Sequence, residues 1–145
     1  MKFNNETIRE AVKEWLDDAV SAETKYGHIS GWDTSEVTNM GGMFGYAKSF
    51  NQPLDNWDVS NVTYMGGMFQ EASAFNQPLD NWDVSNVTDM CQMFASMMES
   101  LAFNQPLDNW DVSNVTDMSG MFVNALAFNQ PLDNWDVSNV TRMGS

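Results

Sequence analysis

A chain of 145 residues, 43% apolar and 12% aromatic, has the length and apolar content of one packed domain. Twenty acidic residues against six basic ones give a formal charge of −14, the wrong sign for attraction to phosphate backbones or anionic lipid headgroups, so nucleic acid and membrane surfaces are not expected partners. A single cysteine, Cys91, cannot form an internal disulfide, and no apolar run approaches the roughly 20 residues that span a bilayer. Met1 to Glu6 lacks the apolar stretch of a secretory signal, so membrane insertion is not expected and the compartment stays unassigned.

The first thirty residues read as a helix. Ile8, Val12, Trp15 with Leu16, and Ala19 with Val20 form an apolar stripe; Asn4 or Asn5 marks its start, Glu6 and Glu10 lie in its first turns, and Gly27 is a natural stop. Residues 1–31 are therefore expected to be an N-terminal helical cap, with residues 32–145 forming a repeat region of four full units and a truncated fifth.

The segment FNQPLDNWDVSNVT occurs four times unchanged, at 50–63, 75–88, 103–116 and 128–141. Trp32, Trp57, Trp82, Trp110 and Trp135 index the units, at spacings of 25, 25, 28 and 25 residues. A fixed period of this length is the mark of stacked repeats, each too small to bury its apolar face alone. Within a unit, Val115, Met118, Met121 with Phe122, and Ala125 recur at steps of three and four, which predicts a short helix that must stop before Pro131. Trp135-Asp136-Val137 alternates apolar and polar, which predicts a strand of two to four residues. The expected fold class is thus an α/β repeat solenoid with an N-terminal helical cap, a mainly helical solenoid being the alternative. The 28-residue unit carries three extra residues within 95–102, close to one helical turn, and a local bump is expected there.

Trp-Asp-Val-Ser-Asn-Val-Thr-x-Met followed by Met-Phe, an alanine and Phe-Asn-Gln-Pro-Leu resembles the repeat of the mycoplasma-type bacterial surface-protein family, over about residues 32–143. The lead-in Tyr26-Gly27-His28-Ile29-Ser30-Gly31-Trp32-Asp33 is similar to that of such arrays. The resemblance implies leucine-rich-repeat-like coils with short strands and short helices or 3₁₀ turns. It also implies surface display, adhesion or protein interaction.

The candidate chemistry is sparse. His28 and Cys91 are single copies: a Ser-His-Asp triad could use only His28, which reads as a surface or cap-packing histidine beside a glycine turn, and no zinc site can be assembled from one of each without a carboxylate-dominated set; Cys91 shares a column with Gly41, Gly66 and Ser119 and reads as a small packing residue. No catalytic residue and no cofactor is assigned. Two aspartate columns, Asp55, Asp80, Asp108, Asp133 and Asp58, Asp83, Asp111, Asp136, would stack like charges on adjacent coils. Either each closes a turn by accepting backbone hydrogens, or calcium is held between coils; the sequence Asp55-Asn56-x-Asp58-x-Ser60 lacks the central glycine of a calcium loop.

Four equivalent pairs give no reason for one to differ from the others, as glycosidase chemistry would need, so the chain is not expected to be an enzyme. Columns of Asn51, Asn76, Asn104, Asn129 and of Thr63, Thr88, Thr116, Thr141 are either internal ladders or a multivalent face. The function expected is a non-catalytic repeat scaffold for protein-protein interaction or surface adhesion, with a protein or repetitive surface as ligand. A calcium-stabilised structural repeat is the alternative, and an ice- or surface-binding protein a lesser one. The last unit lacks the Met-Phe segment of the others, so a weak homodimer through its C-terminal end is also expected.

Overall fold

Residues 1–144 are described in the computed structural model. Asn4 caps helix α1, Asn5–Asp17: its side chain accepts from the amides of Glu6 and Thr7, while the Thr7 hydroxyl accepts from the Asn4 amide, closing a capping box. The helix breaks at Asp18, whose extended backbone leaves its carboxylate to cap α2, Ala19–Tyr26, through the Ser21 amide. Gly27, at φ +81°, ends α2, and a 3₁₀ turn follows at Ile29–Gly31. The predicted stripe holds from Ile8 to Trp15 and then fails. Leu16, still within α1, is exposed, and the break at Asp18 leaves Ala19 and Val20 of α2 exposed as well.

Residues 1–3 and α1 cover the first repeat. Lys2 bridges Asp33, Asn5 exchanges hydrogen bonds with Thr38, and Arg9 donates to the Gly41 carbonyl. Phe3, Trp15, Tyr26 and Trp32 pack ring against ring beneath them.

The repeat region is not an α/β repeat solenoid, nor is it mainly helical. Both α-helices among the described residues precede it; within it there is no sheet, only isolated parallel bridges joining Asn39 to Tyr64, Tyr64 to Asp89, Asp89 to Asp117 and Asp117 to Arg142. The reason is an alternation in the Met-Phe segment. The amides of Met68, Gln70 and Ala72 donate to carbonyls three residues back. Those of Met65, Gly67, Phe69 and Glu71 donate instead to Asp89, Cys91, Met93 and Ala95 in the following repeat. A helix needs every amide turned inward and a ladder needs regular extended backbone; this segment divides its amides between the two directions and is neither.

Left-handed backbone turns the chain at two positions four residues apart in the regular units. Gly42, Gly67, Gln92 and Gly120 share one such column, while Tyr46, Glu71 and Asn124 share a second. The three-to-four-residue apolar spacing therefore identified the inward face correctly and its backbone wrongly. Met65, Met68 and Phe69 are buried, as are Met90, Met93 and Phe94, but on successive turns.

Successive repeats lie on one another in register. Phe44, Phe69, Phe94 and Phe122 stack at centroid separations of 5.6, 5.6 and 5.8 Å, and Phe50, Phe75, Phe103 and Phe128 at 6.0, 6.0 and 6.1 Å. The repeat tryptophans add polar ties: Trp82 Nε1 donates to the Leu54 carbonyl, Trp110 to Leu79 and Trp135 to Leu107, each at 2.8 Å. The stack runs across the longer unit without losing a column. Its extra residues emerge at Met97 and Met98, each 72% exposed.

Candidate functional site

The polar columns divide into those consumed by the stack and those left to solvent. The Asn51 side-chain oxygen accepts from the Asn76 amide and from Gln77 Nε2, at 2.9 and 3.1 Å, and the same pair of bonds recurs at Asn76 and Asn104. Asn61, Asn86, Asn114 and Asn139 each donate Nδ2 to the serine carbonyl of the preceding unit. The hydroxyls of Thr63, Thr88, Thr116 and Thr141 donate to the preceding threonine's carbonyl, or Thr38's in the first case, at 3.2–3.3 Å. Side chains thus supply the cross-coil bonds that a continuous ladder would have made, satisfying backbone groups that the irregular coil leaves open.

The two aspartate columns have different surroundings. Asp58, Asp83 and Asp111 are exposed, and each accepts from the amide and hydroxyl of the serine two residues on; Asp136 accepts from the Ser138 amide. These are local turn closures. Serine hydroxyl and amide hydrogens hold the Asp111 carboxyl below its ordinary range, against partial desolvation and the Asp136 charge on the next unit. The Ser138 hydrogens do the same for Asp136.

In the other column Asp55, Asp80 and Asp108 are half-buried and Asp133 is exposed. Asp108 receives the Asn134 amide at 3.0 Å and Asn134 Nδ2 at 2.6 Å. Among the described residues no group of three or more His, Cys, Asp and Glu side chains is placed to hold a metal ion.

His28 is exposed, accepts from the Ser30 amide and lies edge-on to Trp15 at 5.2 Å. Cys91 is half-buried beneath Tyr64, and desolvation together with the Asp89 carboxylate pushes its thiol up to about 11, away from nucleophile character at neutral pH. The Tyr64 ring lies across Gly41 and Gly66, where a Cβ would come within 2.2 and 2.5 Å of it. The glycines in this column therefore serve a side chain packed across coils.

One polar group escaped the sequence reading. Glu71 is 1% exposed, and its carboxylate accepts from the Ser96 hydroxyl at 2.8 Å and from the Met97 amide at 2.5 Å. Those amide and hydroxyl hydrogens hold it below the ordinary glutamate value against desolvation. It anchors the base of the three-residue insertion, and Lys48 spans the outside to Glu99 at 2.8 Å. The signal was available: Glu71 is the only acid among Tyr46, Glu71, Ser96 and Asn124, and it immediately precedes the one longer unit.

What the stack leaves exposed at one-coil intervals is a row of Asn56, Asn81 and Asn109 beside the turn-closing Asp58, Asp83, Asp111 and Asp136; Asn134 is exposed in the same row but bonds Asp108. No helix among the described residues is long and apolar enough to cross a membrane. A family model described as a Mycoplasma protein of unknown function, DUF285, matches residues 10–100 and 97–145. Comparison with curated proteins and with solved structures gives no match.

Proposed function

We propose that this chain, which belongs to the mycoplasma protein family of unknown function DUF285, is a non-catalytic scaffold that binds a protein or a repetitive surface through its repeated polar rows. The observation that carries the reading is the partition of the polar side chains. The Asn51, Asn61 and Thr63 columns are consumed in holding coil to coil, whereas Asn56, Asn81 and Asn109 stand exposed at the same place on successive coils.

Identical groups on a regularly stacked support favour a ligand that repeats. Each single contact is weak, and several engaged together multiply the effective affinity. Surface adhesion is the setting taken for this binding, the family's own function being unknown.

The test is retention of a surface-protein fraction on the immobilised chain, compared with the chain carrying Asn56→Ala, Asn81→Ala and Asn109→Ala together. A retained protein whose binding falls at least tenfold in the triple variant and only slightly in each single variant supports the reading. Equal retention by the triple variant, with its melting temperature unchanged, overturns it.

A further inference from the structure

The repeats are exact copies over FNQPLDNWDVSNVT, so a feature that occurs once must come from the segments between the copies or from the cap. Two residues there depart from their columns to the detriment of the coil. In the column of Asn39, Asp89 and Asp117 each side-chain oxygen accepts the amide two residues on, from Gly41, Cys91 and Ser119, at 2.9 Å in every case. Tyr64 fills the same place in its unit and makes no such bond, so the Gly66 amide has no acceptor among the described residues. In the column of Gly42, Gly67 and Gly120, all left-handed, Gln92 carries a side chain at φ +54°, where crowding at Cβ disfavours an L residue.

Both departures line one cleft of about 400 Å³, inside the roughly 300–1,000 Å³ of small-molecule sites. It lies between Arg9 of α1 and three successive units, with Asn39, Tyr64, Gln70 and Gln92 in its wall. Tyr64 is laid across Gly41 and Gly66, where a Cβ would strike its ring, yet it remains 38% exposed. The side chains of Gln77, Gln105 and Gln130 donate to the preceding unit, whereas those of Gln70 and Gln92 make no hydrogen bond to any described residue. Arg9, with five N–H donors, meets only neutral oxygens among the described residues, those of Gly41 and Asn39.

We propose that this cleft binds a sugar ring. The electron-rich face of an exposed aromatic ring complements the C–H groups on one side of a pyranose, and unpaired carboxamides with guanidinium N–H groups match its hydroxyls as donors and acceptors. A purely apolar ligand would bury those carboxamides unpaired, and a phosphate would find one cation in a chain of formal charge −14. The proposal goes beyond the scaffold reading and uses no residue of the Asn56 row, so either can fail without the other.

The test titrates the intact chain with the methyl glycosides of glucose, galactose, N-acetylglucosamine and glucuronic acid. Each is taken to about 50 mM, which detects millimolar dissociation constants, with backbone and carboxamide NMR signals as the readout. At least one glycoside should give saturable shifts centred on Gly66, Gly67 and the Gln70 and Gln92 carboxamides; no shift with any of the four, or shifts centred elsewhere, overturns the proposal. Tyr64→Asn supplies the Gly66 amide with the acceptor that Asn39 gives Gly41 but removes the ring, and Tyr64→Phe keeps the ring. Binding should fall at least about tenfold in the first and stay within about threefold of the parent in the second. Equal binding by Tyr64→Asn, or an equal loss in Tyr64→Phe, overturns the proposal. Gln92→Gly restores the residue of the other units: it should raise the melting temperature by relieving the left-handed backbone, while weakening sugar binding about threefold or more. A melting temperature below the parent's would show that Gln92 serves the coil, and would overturn the proposal too.

Discussion

The helical segment and the repeat coils solve the same backbone problem in opposite ways. In α1 each amide finds its carbonyl four residues back, so Asn5–Asp17 is closed within itself apart from its ends, and Asn4 closes one of those. In the coils a residue such as Met65 has its partner in Asp89, and Thr88 has its partner in Thr63. A coil removed from its neighbours would expose unpaired amides and carbonyls along with its apolar face. The helix is consequently set by short-range pattern, and the coil by what lies above and below it.

The largest effect expected from this difference is at Trp82. Replacing it with alanine opens a cavity between two repeats and strips the Leu54 carbonyl of its indole donor. A loss of about 3–5 kcal/mol in urea unfolding is expected, the range for large-to-small aromatic changes in a core. If the coils are mutually supporting, amide exchange should also quicken in the preceding unit, at Trp57 and Val62. An unfolding midpoint within experimental scatter of the parent chain would show that one coil can be hollowed without involving the next.

A smaller, pH-dependent effect belongs to the insertion. The amide and hydroxyl hydrogens from Met97 and Ser96 stabilise the charged form of Glu71, so its folded pKa lies below its unfolded value. The contribution to stability is therefore present above the unfolded value, near 4.5, and is lost as pH falls through the folded one. Lys48 and Glu99 face the same loop from its outer side, paired at 2.8 Å. Exchange at the Met97 amide, corrected for intrinsic rates, is expected to accelerate about tenfold between pH 6 and pH 3. Glu71→Ala should reproduce the fast rate at pH 6. A rate in Glu71→Ala equal to that of the parent would remove the anchoring role.

These two sites also show where the sequence was legible. The repeat, its register, the burial of Trp57, Met65 and Phe69 and the resemblance to a mycoplasma family all follow from residue identity and spacing. The backbone of the coil does not. Apolar residues at steps of three and four signal a helix only when every amide turns inward, and nothing local announces that Gly67 N–H and Phe69 N–H leave for the next repeat. The Gly42, Gly67 and Gly120 column was the available warning, since three glycines at φ near +63° mark a chain that reverses hand and not one that continues a helix. The same shift from local to neighbouring partners explains the polar columns. The Asp58 turn and the Asn51 ladder both stand as alternatives in the sequence, although the first needs only Ser60 two residues away and the second depends on Asn76 in the next repeat.

The smallest expected effect lies in the helical segment. Asn4 holds two otherwise unpaired amides, those of Glu6 and Thr7, at 3.0 and 2.9 Å, and it does so at an exposed helix end. Asn4→Ala should cost about 1 kcal/mol, the usual value of an N-cap, and Asn4→Gly only a few tenths. More informative than the size is the reach. Because α1 closes its own hydrogen bonds, faster exchange should be confined to the Glu6 and Thr7 amides, with Met65, Gly67 and Phe69 unchanged. Asn5 works against that confinement, since it also exchanges bonds with Thr38 and so ties the start of α1 to the first repeat. If loosening the cap transmits inward, it must do so through that pair, and Asn5→Ala would then quicken exchange at the Thr38 amide more than Asn4→Ala does. Equal acceleration across the repeats in Asn4→Ala would mean that the helix, despite its internal bonding, folds only as the covering of the stack.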